Sequence, residues 1–122
     1  EQNATAILAL CPSCISLVGK LNLNQSASVL KQSEKVISHD TGLMHIAAAL
    51  RKPIVSIWGN TVPSLGMYPY MPENKKAYSI HEVDLKCRPC SKIGYQQCPK
   101  KHFKCMEQQD AESISTSVNQ GL

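Results

Sequence analysis

Apolar residues fall in short blocks whose spacing switches between a strand-like and a helix-like pattern, and that switching orders the first sixty residues. Asn3 to Leu10 have helix-like composition. The run CISLVG (Cys14–Gly19) is short, apolar and stopped by glycine, which predicts a buried strand. In LNLNQSASVLKQS, Asn24 is placed to cap a helix through about Ser33, with Ala27, Val29, Leu30 and Ser33 near helical spacing. KVISH (Lys35–His39) is rich in β-branched residues and predicts a second strand. Gly42 to Lys52 gives the clearest helix, with Met44, Ala47, Ala48 and Leu50 on its apolar side. Arg51 and Lys52 suit its C-terminal dipole, and Pro53 stops it. IVSIWG (Ile54–Gly59) predicts a third strand.

These strands are continuous apolar runs, which predicts a sheet covered on both faces. Their alternation with helices predicts an α/β fold, a Rossmann-like parallel sheet with flanking helices and right-handed crossovers. Asn60–Lys76 reads as loop, with three prolines and one glycine. AYSIHEV reads as an edge strand, and the Cys/Lys-rich segment 86–106 as an irregular loop within the same domain. DAESISTSVNQGL predicts a last helix, capped by Asp110 with Ala111, Ile114 and Val118 at helical spacing. The lone Trp58 is expected in the core.

The 122 residues amount to one domain, and 43% hydrophobic with 18% charged residues is globular composition. No apolar run approaches the roughly 18–20 residues of a membrane span. The start, EQNATAILAL, lacks a basic-then-apolar leader and reads as if cut from a longer chain, so 1–122 is expected to be a truncated single domain. The net charge of +4 is concentrated: six of thirteen basic residues (Lys86, Arg88, Lys92, Lys100, Lys101, Lys104) lie between Leu85 and Met106, where there is no acid. The remaining seven face nine acidic residues, so any attraction for a polyanion is local to that segment.

Six cysteines divide into Cys11 with Cys14, and Cys87, Cys90, Cys98 and Cys105. The first pair straddles a predicted turn and reads as incidental. Without a leader a reducing compartment is expected, and the second cluster then suggests metal before disulfides. Four thiolates suffice for a tetrahedral structural zinc, with His102 as a substitute ligand. An iron–sulfur cluster, two disulfides or free thiols would use the same atoms.

The segment SHDTGLMHIAAAL (Ser38–Leu50) carries candidate chemistry. Open α/β sheets bind ligands at the carboxyl ends of their strands. Where a strand turns directly into a helix, the first N–H groups lack partners and the dipole favours an anion. Gly42 lets a phosphate approach the backbone, Thr41 adds a hydroxyl, and His45 lies one turn deeper on the same helix face. Asp40 suits the turn or a sugar hydroxyl rather than phosphate. Asn60 and Thr61 end the next strand at the same sheet edge. An ordinary capped helix, a half-buried histidine and two turn residues would carry the same sequence.

The run VISHDTGLMHIAAALRKPIVSIWGNT resembles the donor-binding segment of the family 9 glycosyltransferases, the lipopolysaccharide heptosyltransferases. That pattern is an Asp, a Ser or Thr, Gly, two variable residues and His on an alanine-rich helix, then a Pro-bounded strand ending in Gly-x-Thr. GKLNLNQSASVLKQS and the C-x-P-C with downstream CM are similar to family features, so the resemblance spans about Val18 to Met106. It departs from the pattern at His39, where Asn is frequent, and at Leu43 and Asn60, where Pro is common.

The resemblance implies part of the C-terminal domain of a GT-B glycosyltransferase, in which two Rossmann-like domains face across a cleft. This domain would bind an ADP-sugar, while an N-terminal domain supplies the acceptor site and the catalytic base. Asp40, Thr41, Gly42 and His45 would hold the diphosphate and sugar, with Leu43 and Met44 offering N–H groups; Asn60 and Thr61 join the substrate-binding set. No catalytic residue is expected in this chain, transfer would need no metal, and the chain alone would not transfer sugar. The implied partners are the ADP-sugar, the missing acceptor domain and a lipopolysaccharide precursor, met in the cytoplasm at the inner face of the bacterial inner membrane. Nucleic acid is not among them. A homodimer through an exposed sheet edge is a further expectation. The competing function is a non-enzymatic, metal-stabilised basic module binding nucleic acid or another polyanion, with Tyr95 and Phe103 as its aromatics.

Overall fold

Three parallel strands pair in chain order: β1 (Val36–His39), β2 (Ile54–Trp58) and β3 (Tyr78–Glu82). They belong to a computed structural model that describes residues 2–74 and 77–120. The ends of the predicted Asn60–Lys76 loop (75 and 76) and of the predicted last helix (121 and 122) lie outside the described residues. Among the described residues, five helices accompany the sheet: α1 (Gln2–Leu10), α2 (Leu23–Gln32), α3 (Gly42–Ala49), α4 (Lys104–Glu107) and α5 (Ala111–Asn119), with a 3-10 turn at Pro63–Leu65. The architecture is α/β, a parallel sheet with flanking helices.

Register assigns the faces. Val36, Ile54 and Tyr78 lie side by side, as do Ser38, Ser56 and Ile80 two residues on, so they share one face. That face carries the core: Val36, Ile54 and Trp58 pack with Met44, Ala47 and Ala48 of α3 and with Met71 and Ala77, and Leu30 of α2 closes the edge. Each fully buried large side chain there contributes about 1.5–3 kcal/mol. Trp58 is fully buried, and its indole N–H donates to Ser56 Oγ at 3.1 Å.

The opposite face is covered only in part. α5 packs on β2, Val55 is fully buried, and His81 Nε2 meets Ser117 Oγ at 3.1 Å. Lys35 fastens this helix, donating to the carbonyls of Ser117 and Val118 at its C-terminus. Ile37 of β1 remains 55% exposed on this face. Coverage of both faces is therefore complete at Val55 of the central strand and incomplete at Ile37 of β1.

Four local expectations are corrected. Cys14–Gly19 forms no strand: it has no strand to pair with, and turns closed by Cys14 N to Cys11 O and Lys20 N to Leu17 O shape it instead. The cap of α2 is Asn22, not Asn24, since Asn22 and Gln25 exchange two side chain–backbone hydrogen bonds of 2.9 Å. That reciprocal box needs Gln at the third helical position, whereas a cap at Asn24 would place Ala27 there. α3 stops at Ala49 rather than Lys52. Arg51 turns left-handed (φ 56°), and the N–H groups of Arg51 and Lys52 bond back to Ala48 and Ala47. Lys52 then serves α2, donating to Ser33 O at 2.8 Å. Within the segment expected to be irregular, the short α4 forms.

Candidate functional site

β1 ends at His39, and two residues later α3 begins, so Asp40 and Thr41 form the whole turn. Thr41 stands at the cap position in extended conformation, yet its side chain makes no capping hydrogen bond; its hydroxyl lies 3.2 Å from Ser38 Oγ. Asp40 is half-buried, and its carboxylate has no hydrogen-bond partner among the described residues. The ordinary-cap reading of Asp-Thr-Gly thus lacks its cap. Among the described residues nothing accepts from the N–H groups of Gly42 or Leu43. A Cβ on Gly42 would meet nothing within 4 Å, and its φ lies outside the left-handed region, so neither packing nor backbone strain requires glycine there.

The other predicted residues separate. Met44 is fully buried in the core and its N–H donates to Thr41 O at 3.1 Å, so the N–H expected to be free is engaged. Leu43 is exposed. His45 is half-buried, and its imidazole has no hydrogen-bond partner among the described residues. Asn60 and Thr61 reach the strand-end rim as expected, but both are bound into structure. Asn60 Nδ2 donates to Tyr95 O at 2.7 Å and its carbonyl accepts from Cys90 N at 2.8 Å; buried Thr61 accepts from Arg88 through its carbonyl at 2.9 Å.

These bonds fold the 86–106 segment across the carboxyl ends of β1 and β2. Its position depends on Arg88, which by sequence is one of the six clustered basic residues that would attract a polyanion. The Arg88 side chain is 4% exposed; it pairs with Glu82 at 3.0 Å and donates to the carbonyls of Gly59, Thr61 and Val83. One buried guanidinium thus ties the ends of β2 and β3, using the fork geometry that only arginine has. The positive charge left to solvent is five exposed lysines, which weakens the polyanion alternative. Close approach is aided at Gly59, where a Cβ would stand 2.8 Å from Met106 Sδ, and at Gly94 (φ 78°), where one would collide with Asn60.

Between this segment and the strand ends lies a cavity of about 300 Å³, lined on one side by His39, Asp40, Gly59, Asn60 and Thr61 and on the other by Ile93, Tyr95, Gln96, Phe103 and Met106. A larger cavity, about 440 Å³, lies at the amino ends of the strands beside Ala48, Arg51, Tyr70 and Glu73. Ligands of open α/β sheets bind at the carboxyl ends, so the smaller cavity is the relevant one. Tyr95, Phe103 and Met106 were missed as lining residues; no local signal in the sequence shows that a distant loop folds back onto the sheet.

Cys87, Cys90, Cys98 and Cys105 are free thiols in the same segment. Cys87 Sγ lies 3.8 Å from His102 Nε2. Burial pushes the Cys105 and Cys90 thiols up, and neighbouring thiols add to it. Backbone N–H groups, foremost that of Phe103, hold Cys98 down. Among the described residues, no three His, Cys, Asp or Glu side chains converge as a ligand set.

Residues 1–102 match the family model for glycosyltransferase family 9 (heptosyltransferase), and the chain belongs to that family. It is 41% identical over 91 residues to lipooligosaccharide heptosyltransferase 2 of Haemophilus ducreyi, covering 69% of this chain and 25% of the relative. It is 42% identical over 50 residues to the Haemophilus influenzae protein of the same name, covering 41% and 14%. Lipopolysaccharide heptosyltransferase 2 of Escherichia coli is 36% identical over 50 residues, again 41% and 14%. The chain thus spans a quarter or less of the length of these curated relatives. No solved structure gives a significant match. Among the described residues no helix is long and apolar enough to cross a membrane.

Proposed function

We propose that this chain is the ADP-sugar-binding part of a heptosyltransferase that acts in lipopolysaccharide core synthesis. The observation that carries the reading is the uncapped start of α3: the N–H groups of Gly42 and Leu43 have no acceptor among the described residues, and the space beside Gly42 is open. Two free donors at the positive end of a helix suit a diphosphate, and donors aimed at its oxygens stabilise the charge that develops as a nucleoside diphosphate leaves. In this reading Thr41 and His45 supply side-chain donors, and the Asp40 carboxylate, without a partner among the described residues, accepts from a sugar hydroxyl. The acceptor, a lipopolysaccharide precursor, and the catalytic base belong to an acceptor-binding domain outside this chain, and transfer takes place at the cytoplasmic face of the bacterial inner membrane.

Titration of the isotope-labelled complete gene product with ADP tests this reading. Shifts centred on the amides of Gly42 and Leu43 are expected. If ADP at millimolar concentration left those amides unmoved, the cradle would be lost as a hypothesis.

A further inference from the structure

The cavity at the strand ends shares Asp40 with the turn before α3, but its far wall comes from the 86–106 segment, to which the diphosphate site assigns no part. We infer that this cavity receives the ring of the transferred sugar, with Tyr95 and Phe103 as its contact residues. The inference rests on the nucleotide-sugar reading above and deepens it.

Size is the first argument. About 300 Å³ is the lower end of small-molecule sites, which run from roughly 300 to 1,000 Å³. It seats one sugar ring and leaves the nucleoside outside. The balance of donors and acceptors is the second. Asp40 has carboxylate oxygens without a partner among the described residues, and one of the two Asn60 amide hydrogens is committed to Tyr95 O, so the strand-end side of the cavity offers acceptors to a hydroxyl-rich ring. A polyol supplies a donor at every hydroxyl, whereas adenine offers a single amino group.

The facing wall is aromatic and open. Tyr95 is 53% and Phe103 47% exposed, so neither ring is consumed by the core. The C–H face of a pyranose lies against such rings, while its hydroxyls reach the polar rim. Phe103 is moreover held in the left-handed region (φ 45°) at the start of α4, a genuine outlier for a bulky residue. Strain of this kind is retained where surrounding structure fixes it, and it collects at ligand sites.

The test uses the complete gene product with two probes, ADP and ADP-heptose, measured by calorimetry without acceptor. The substitutions leave the frame intact. Tyr95→Ala keeps the carbonyl that Asn60 binds, and Phe103→Gly relieves a left-handed backbone. Each is expected to weaken ADP-heptose binding about tenfold while ADP affinity stays within about twofold, as loss of one aromatic contact implies. Tyr95→Phe should retain binding, and Phe103→Gly should unfold no earlier than the parent. Equal losses for both probes, or loss of neither, would overturn the inference; the latter would also rule out the donor sugar as the occupant. If the parent protein bound no ADP at all, the nucleotide-sugar reading itself would fall, a separate and recognisable outcome.

Discussion

Arg88 and Glu82 meet at 3.0 Å with very different exposures, 4% for the arginine side chain and 41% for the glutamate. The asymmetry shows that the pair is not a surface ion pair, which would contribute only about 0–1 kcal/mol. Arg88 is a buried brace, and the carbonyls of Gly59, Thr61 and Val83 depend on it as much as Glu82 does.

Replacing Arg88 by Met keeps most of the volume but leaves those carbonyls without donors. A buried acceptor left unsatisfied costs about 1–3 kcal/mol, and three carbonyls lose their donor together. Arg88→Met should therefore lower the melting temperature by roughly 10 °C. Calorimetry of the complete gene product checks this; a shift of a degree or two would mean that the 86–106 segment is held by other contacts.

At Arg51 the expected sign is reversed. Its left-handed conformation costs an L-residue about 1–2 kcal/mol, whereas its exposed pairing with Glu73 at 3.1 Å returns little. Glycine gives back part of that gain through a freer unfolded chain. Arg51→Gly should stabilise by about 0.5–1 kcal/mol in urea unfolding. Destabilisation would show that the Glu73 pair outweighs the strain.

Gly42 separates ligand binding from folding. Open space surrounds the position and its φ is ordinary, so valine there should change thermal stability little. The same branched side chain would stand where an anion must approach the N–H groups. Gly42→Val is expected to weaken ADP binding at least about tenfold, which corresponds to 1.4 kcal/mol. Unchanged affinity in calorimetry would remove Gly42 from the phosphate cradle.

The pair Cys11 and Cys14 makes a pH-dependent prediction. Hydrogen bonds from the Cys14 and Ser13 side chains hold the Cys11 thiol below its usual range, and the same contact with Cys11 pushes Cys14 up. The thiolate is the reactive form, so as pH rises Cys11 must be alkylated first and Cys14 later. Peptide mapping after iodoacetamide pulses at increasing pH reads the order directly, and simultaneous labelling would contradict the hydrogen bond. By linkage, the depressed Cys11 favours the folded state above its unfolded pKa and loses that contribution as pH falls. The raised Cys14 acts in the opposite sense, its contribution lost as pH rises through the folded value.

Local chemistry made much of the fold legible. KVISH and IVSIWG became β1 and β2 because β-branched runs fit a pleated, buried surface, and Asp110 caps α5 because its carboxylate accepts from Glu112 N and Ser113 N. The misplaced strand at Cys14–Gly19 had the same apolar signature, but a strand exists only where a neighbour completes its hydrogen bonds. The helix ends were misjudged by two or three residues, since Asn22 and Asn24 are equivalent until Gln25 selects one of them, and Arg51 carries no sign of its left-handed backbone.

By itself the sequence determined the order of strands and helices and the position of Asp40, Thr41 and Gly42 at a strand–helix junction, because periodicity, capping residues and chain-adjacent turns are local properties. Only the tertiary structure decided that neither Asp40 nor Thr41 caps α3, that Met44 belongs to the core, and that Arg88 is a brace rather than a surface charge. It alone brought Tyr95 and Phe103 opposite Asp40. These outcomes depend on which groups are removed from water by residues thirty to sixty positions away, and burial of that kind leaves no periodic trace in the chain.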